Sequence, residues 1–347
     1  MENEYNENAK TANGILTISQ AENIAAQIMD EIEDEEYVQD IRARTAELYE
    51  MVRGVLAQET QSASSAEWHN FAVEVARYKY FDLSCDIVEA GLKNYKNNTD
   101  LLADYLQYGI YCGRIEQCKK HYNTLIALPR VKYTWRGFSF CVNFMSYLWE
   151  QSDSLTEMKE LEKAMKQMAS DFQEQWPRDE EAYRCKAEVH RLLREDAEEI
   201  NTLEMAMKKL KKTPKCALRL ADIRFENGEY KKALATIKKA LAHSDQPQPT
   251  INRNYAYCLA GLSRLAEIQI ENTEARTKDT TKPTAEATTE AIEKVLREVF
   301  CDFNMALDNV KGKPPYEDII CAKTKELCLK YNVEIPDSCM ALLDVVD

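Results

Sequence analysis

The chain has 347 residues and a formal net charge of −14 at pH 7, with 45% hydrophobic residues but only nine Gly and nine Pro. So few turn formers argue against a strand-rich fold, and long Ala/Leu/Glu/Lys-rich runs favour helix, so an almost all-helical protein is expected. No run of about 18 apolar residues occurs, which argues against a membrane-spanning helix, and the acidic start MENEYNENAK lacks the basic and apolar order of a secretory signal.

Residues 1–14 are polar and Asn/Glu-rich and are expected to be a disordered tail. Residues 15–60 read as an acidic helical pair. Ile24, Ile28 and Ile32 make the stripe of the first helix, with Ser19 and Glu22 at capping-box spacing. Val38, Ile41, Leu48, Val52 and Val55 carry the second. The stretch TQSASSAE ends this pair. Residues 1–60 hold 14 Asp/Glu against four Lys/Arg, whereas residues 205–241 hold 11 Lys/Arg against three Asp/Glu. The acidic arm is either a solvated helix face or an intramolecular plug for the basic region.

From Trp68 onward the chain repeats itself. With Ala217 as an anchor, Leu220, Ala221, Gly228, Tyr230, Ala233, Ile237, Ala240 and Leu241 follow at offsets that define a helix, a Gly turn and a second helix. Small Ala residues let the two helices approach, and Gly228 permits a left-handed turn. Thirty-four residues earlier, Tyr183 anchors Ala187, Leu203, Ala206 and Met207 around the turn LREDAEE, which has no Gly. Trp68 and Leu102 anchor two further frames in the same phase, and the next step lands on Arg136. The gap from Arg136 to Tyr183 is 47 residues, so that unit is enlarged by about 13.

A 34-residue helix–turn–helix period with this pattern resembles the tetratricopeptide repeat family. The resemblance covers residues 66–310 in six units, of which 215–245 is nearest the family pattern. It implies an all-α, right-handed α-solenoid of helical hairpins, preceded by the N-terminal helical pair and closed by a C-terminal capping helix at 316–331 within residues 311–347. Arg224 departs from it, standing where the family usually has an aromatic residue. The Thr/Glu/Lys-rich stretch 271–290, with seven Thr, is expected to be a mobile loop or a frayed helix end, with the following helix resuming near Ala291.

Motifs for catalysis are missing. The four histidines, His69, His121, His190 and His243, form no HExxH, and no GxSxG, GxxxxGK[ST] or GxGxxG occurs. No enzyme activity, cofactor or metal is expected. The 11 cysteines are scattered, with no CxxC pair, and read first as small buried hydrophobes in a reducing cytoplasm and second as redox or metal groups.

In the stacked hairpins that the resemblance implies, first helices line a concave face. That places Gln107, Ile110 and Tyr111 there, then Phe144 and Met145, then Arg184, Glu188, Arg191 and Leu192, then Lys215, Arg219, Asp222 and Phe225. The aromatic members either anchor a bound peptide or pack against the next helix. Lys215 and Arg219 match two of five positions with which some family members hold a peptide carboxylate; Gly137, Cys141 and Cys185 occupy the others, so a carboxylate clamp is not expected. The function expected is a non-catalytic protein- or peptide-binding scaffold or adaptor, with an acidic peptide as one partner that Lys215 and Arg219 could attract. A regulatory subunit controlling a partner enzyme or nucleic-acid complex, with the acidic arm as plug, is the alternative. The basic run MKKLKKTPK (207–215) raises nucleic acid, but a chain with pI near 5.0 argues for a solvated helix end instead.

Overall fold

The computed structural model describes residues 16–34, 38–58, 63–242, 252–277, 285–307 and 316–346. Among them every regular element is helical: sixteen α-helices and one short 3-10 turn. The all-α expectation is thus borne out. The chain divides into two compact units, Met1–Pro177 and Arg178–Asp347, a division that no composition shift marks in the sequence.

In the first unit, α1 (Ile18–Asp34) and α2 (Val38–Leu56) form a hairpin. Its cap is not the Ser19–Glu22 box expected from sequence. Thr17 and Gln20 make it instead: the Gln20 amide donates to Thr17 Oγ1 at 3.2 Å, and the Thr17 amide donates to Gln20 Oε1 at 2.9 Å. Ser19 is thereby freed to reach Glu67 on the next hairpin at 3.3 Å. Ala21, Ala25, Ile28 and Met29 of α1 and Leu48, Val52 and Val55 of α2 are buried. The pair packs on α3 (Ser65–Arg77) and α4 (Phe81–Asn94). It is therefore the first hairpin of the stack rather than a free arm. Residues 1–15, which include the expected disordered tail, lie outside the described residues.

Ser64 and Glu67 cap α3 with a complete capping box, and Asn98 caps α5 (Thr99–Tyr111) by accepting from the Asp100 and Leu101 amides at 3.1 and 2.9 Å. Helix α6 (Ile115–Ile126) completes the second frame, and α7 (Trp135–Gln151) with α8 (Leu155–Gln175) the third. First helices α1, α3, α5 and α7 pack successively on one another. Trp68, Phe71, Leu101, Tyr105, Phe138 and Phe172 fill the interior, with the rings of Phe138 and Phe172 stacked at 4.9 Å. Gly91 lets α4 approach α3: a Cβ there would lie 2.9 Å from Trp68 Cβ.

The second unit repeats the plan with α9 (Glu180–Leu192) and α10 (Asp196–Lys209), then α11 (Pro214–Glu226) and α12 (Tyr230–Ala242). Helices α13 (Arg253–Thr277) and α14 (Ala285–Leu307) are longer. Their helical ends take residues 271–277 and 285–290 out of the loop expected at 271–290, and 278–284 lie outside the described residues. Of the two expectations, a loop or helix ends, residues 271–277 and 285–290 match the second, since helix ends tolerate Thr and Glu. Helix α15 (Glu317–Tyr331) occupies the position expected of a capping helix, and a further helix, α16 (Met340–Val346), packs on α14 and α15. Leu296, Phe300, Phe303, Ile320, Leu327 and Leu342 make this end's core.

Four of the turns within hairpins have a common geometry. Lys79, Gly113, Arg194 and Gly228 all take left-handed backbone, with φ of 67°, 76°, 59° and 75°. Residues 79 and 113, and again 194 and 228, are one 34-residue period apart. In three of these turns the following amide donates back across the turn: Arg114 to Gly109 O, Glu195 to His190 O and Glu229 to Arg224 O, at 2.8, 2.9 and 2.8 Å. The α7–α8 hairpin lacks the left-handed residue: Ser152 ends α7 with extended backbone. Its helices run 17 and 21 residues, and the enlargement of the unit lies there.

A left-handed conformation at a non-Gly residue costs roughly 1–2 kcal/mol. Lys79→Gly and Arg194→Gly are therefore expected to stabilise the chain by about 0.5–1 kcal/mol each, after the extra entropy of Gly in the unfolded state is set against the strain relieved. Gly228→Ala is expected to destabilise it by about 1 kcal/mol. Chemical denaturation of the three variants checks both signs.

Candidate functional site

Hydrogen bonds that join successive first helices define the candidate surface of the first unit. Asp104 sits in the apolar run Leu101–Leu106 of α5 and is fully buried. Its Oδ2 lies 2.5 Å from His69 Nδ1 on α3, and Arg136 Nη1 on α7 donates to its Oδ1 at 3.4 Å. Burial pushes the Asp104 carboxyl above the usual carboxylate range, and His69 and Arg136 pull it back. One repeat edge further, Thr134 caps α7 and also donates its hydroxyl to Asp100. Toward the other end, Asn143 Nδ2 donates to Gln107 Oε1 at 3.0 Å, and Gln107 Nε2 donates to Tyr111 OH at 3.2 Å. These partners are 32 to 36 residues apart between helices, so the repeat period is written in side-chain contacts.

Tyr111 is 62% exposed, yet its ring is stacked on Phe81 at 4.6 Å. At the start of α7 the Arg136 guanidinium lies over the Trp135 ring at 4.9 Å. Gln107 and Tyr111 thus belong to one connected surface. Phe144 does not. It is fully buried and packs against Tyr122 of α6 at 5.4 Å between ring centres, because its offset on α7 turns it toward the preceding hairpin. Met145 is buried as well.

In the second unit the expected residues carry charge, and the charges are satisfied internally. Glu181 accepts from Arg184 Nε at 2.5 Å and also pairs with Lys215 one repeat later. Burial works to raise the Glu181 carboxyl, but Lys215 and Arg184 outweigh it and hold the group below its ordinary value. Arg191 holds Glu188 down in the same way, through a contact of 2.9 Å from Nε. Arg219 Nε donates to the buried Glu199 at 2.8 Å. Tyr255 donates to Asp222 at 2.5 Å, and burial still pushes that carboxyl up. Phe225 meets Tyr230 edge-on at 5.4 Å, half-buried in its own hairpin. Lys215 and Arg219 are therefore engaged by Glu181 and Glu199 rather than standing as a bare cationic pair. Arg224, at the position where the family has an aromatic, donates to Thr236 Oγ1 at 2.6 Å and to Glu204 at 2.7 Å.

His69, Asp104 and Asn143 were not singled out as site residues in the sequence. The available signal was Asp104 itself, an acid inside the apolar run LLADYL, which implies a buried partner one repeat away on either side. Among the described residues no group of three or more His, Cys, Asp or Glu side chains is placed to hold a metal ion.

Paired helices at a 34-residue pitch, turned by left-handed residues and joined by contacts one repeat apart, make this chain a tetratricopeptide-like helical repeat protein in fold. Its solved-structure neighbours include a thermophilic tetratricopeptide protein of Thermus thermophilus, at 17% identity and a TM-score of 0.45 over 59% of this chain and 100% of that one. A tetratricopeptide repeat protein from Parabacteroides merdae is 16% identical at a TM-score of 0.43, over 81% of this chain and 99% of that one. A human IFIT1 dimer with m7Gppp-AAAA is 15% identical at 0.42, over 90% of this chain and 70% of that one. No family model matches the chain, and no curated protein matches its sequence.

Removing His69 and Arg136 together leaves Asp104 buried without its two partners and is expected to destabilise the first unit by about 3 kcal/mol at pH 7. A folded-state carboxyl raised above its unfolded value of about 3.9 supports folding fully below that value and loses its contribution as pH rises through the folded pKa. The double variant, with Asp104 pushed higher, is thus expected to recover stability as pH falls. Adding Asp104→Asn is expected to restore stability at pH 7 and to flatten the pH dependence. Denaturant titration of both variants between pH 4 and about 8 checks this.

Proposed function

We propose that the chain is a non-catalytic scaffold that holds a protein or peptide partner against the exposed side of first helices α3, α5 and α7. The observation that carries this is Tyr111. A solvent-facing ring gains nothing for the core, yet it is fixed on one side by Phe81 and on the other by the Gln107–Asn143 amide chain. A pre-ordered aromatic beside amides has the character of a binding hot spot, because little side-chain entropy is left to lose on association. The second-unit residues Arg184, Glu188, Arg191, Lys215, Arg219 and Asp222 offer a charge-balanced surface, so an acidic peptide would have to displace Glu181 and Glu199 before meeting Lys215 and Arg219. The first-unit face, rather than that pair, is the primary site in this reading.

Lys208, Lys209, Lys211 and Lys212 are exposed at and beyond the C-terminal end of α10, where cations complement the helix dipole. That local role accounts for the basic run without nucleic acid. Among the described residues no helix is long and apolar enough to cross a membrane. Among the described residues, which include all eleven cysteines, none forms a disulfide. Burial pushes the Cys118 and Cys258 thiols up to about 12, and such inert packed thiols suit a reducing compartment such as the cytoplasm.

Tyr111→Ala and Gln107→Ala are expected to leave the unfolding midpoint within about 0.5 kcal/mol of the parent, since Tyr111 is exposed and Gln107 is only part-buried. Each is expected to lower the affinity for a captured partner by at least about tenfold, or 1.4 kcal/mol. Affinity capture from host extract with the parent and both variants, quantified by mass spectrometry, tests this. Lys163→Ala, on the exposed side of α8, serves as the control. A partner retained equally by all four proteins would refute the assignment.

A further inference from the structure

Two thiols of the first unit touch across a helix pair. Cys85 lies in the interior of α4 and is fully buried, and Cys112 is the C-cap of α5 and partly exposed. Antiparallel packing of α4 on α5 brings their sulfurs to 3.7 Å. We propose that Cys85 and Cys112 form a reversible disulfide when the chain meets a hydroperoxide.

Three features of the surroundings support it. A disulfide needs sulfurs about 2.05 Å apart, so the gap to close is less than 2 Å. The residue that must move, Cys112, precedes Gly113, whose left-handed turn has open space around its Cβ position. Burial, with Cys112 adding to it, pushes the Cys85 thiol well up, and the Arg114 guanidinium, anchored on Asp86 at 2.6 Å, offsets only part of this. A third thiol, Cys118, is closed off: it is fully buried, and its Sγ points at the carbonyls of Tyr105 and Leu106, at 3.7 and 3.9 Å.

The partly exposed thiol reacts first. Cys112 sulfur attacks the outer oxygen of ROOH, the O–O bond breaks, and ROH leaves with the thiol proton; Cys112 becomes a sulfenic acid. Cys85 sulfur then attacks Cys112 sulfur, the S–O bond breaks, and hydroxide leaves with the Cys85 proton as water. Two thiols lose two electrons and two protons in all, and the hydroperoxide is reduced to an alcohol and water. The new bond ties α4 to the end of α5 directly beside the Tyr111–Phe81 stack. This step does not depend on the binding role proposed above.

The test is to treat the full chain with hydrogen peroxide, block remaining thiols, digest without reductant and map linked peptides by mass spectrometry. The expected result is a dominant Cys85–Cys112 linkage, with loss of two free thiols per chain and full reversal by dithiothreitol. In Cys85→Ala, which keeps a small apolar side chain in α4, Cys112 is expected to be trapped as sulfenic acid by dimedone. Circular dichroism of that variant verifies that it is folded. Linkage of Cys112 to Cys118, over-oxidation of Cys112 while Cys85 stays alkylable, or absence of reaction at both thiols would each overturn the proposal.

Discussion

A backbone constraint, the left-handed residue that ends a first helix, underlies the rest of this structure. Once Gly113 and Gly228 reverse the chain, the second helix must run back along the first, and the small residues facing it set how closely it lies. Among the described glycines, Gly109 against Cys118 shows the tightest end of that range. The same turn at the same phase makes successive hairpins alike, and alike units can stack. Where the turn is replaced, after α7, the helices lengthen and the period breaks. The identity of the residue matters less than its conformation: Lys79 and Arg194 bear the strain that Gly avoids, because the stacking on either side fixes the backbone.

From that regularity follows which side chains can meet. A residue on a first helix finds its counterpart about 34 positions away, whether the contact is Asp104 with Arg136, Asn143 with Gln107, Lys215 with Glu181 or Tyr255 with Asp222. Such contacts cross between repeats rather than within a hairpin. They tie the register of one hairpin to the next, which apolar burial alone, being non-directional, does not do. Asp104 is the sharpest case. Its carboxylate is tolerable in the core only while α3 supplies His69 and α7 supplies Arg136.

Much of the fold was legible in the sequence, since hairpins leave a period, and the period survives wherever core positions must be small or apolar. The Trp68 and Ala217 frames carry it plainly. Caps were less legible, because Thr17 and Ser19 are equally competent hydroxyls and only the entry path of the chain chooses between them. The site was half legible. Offsets along a helix selected Gln107 and Tyr111, which are partly exposed and exposed, together with Phe144, which packs inward on Tyr122 as its second reading allowed. The 34-residue step does lead from Lys215 to Glu181, but it gives no partner for Arg219, whose Glu199 lies 20 positions back on the second helix α10.

The two units thus present first helices of different chemical character. In the second, acids and bases alternate and neutralise one another, and a partner would have to exchange one set of ion pairs for another, with little net gain at a solvated surface. In the first, the charges near the surface are directed inward to Asp104, and what is left facing solvent is an aromatic ring, two amides and the aliphatic and π surfaces around Arg136 and Trp135. Any association there would remove weakly hydrated surface from water and leave few charges to desolvate. Burying Asp104 beneath that face therefore does two things at once: it fixes the register of three helices, and it withdraws His69 and Arg136 from the electrostatics of the exposed surface.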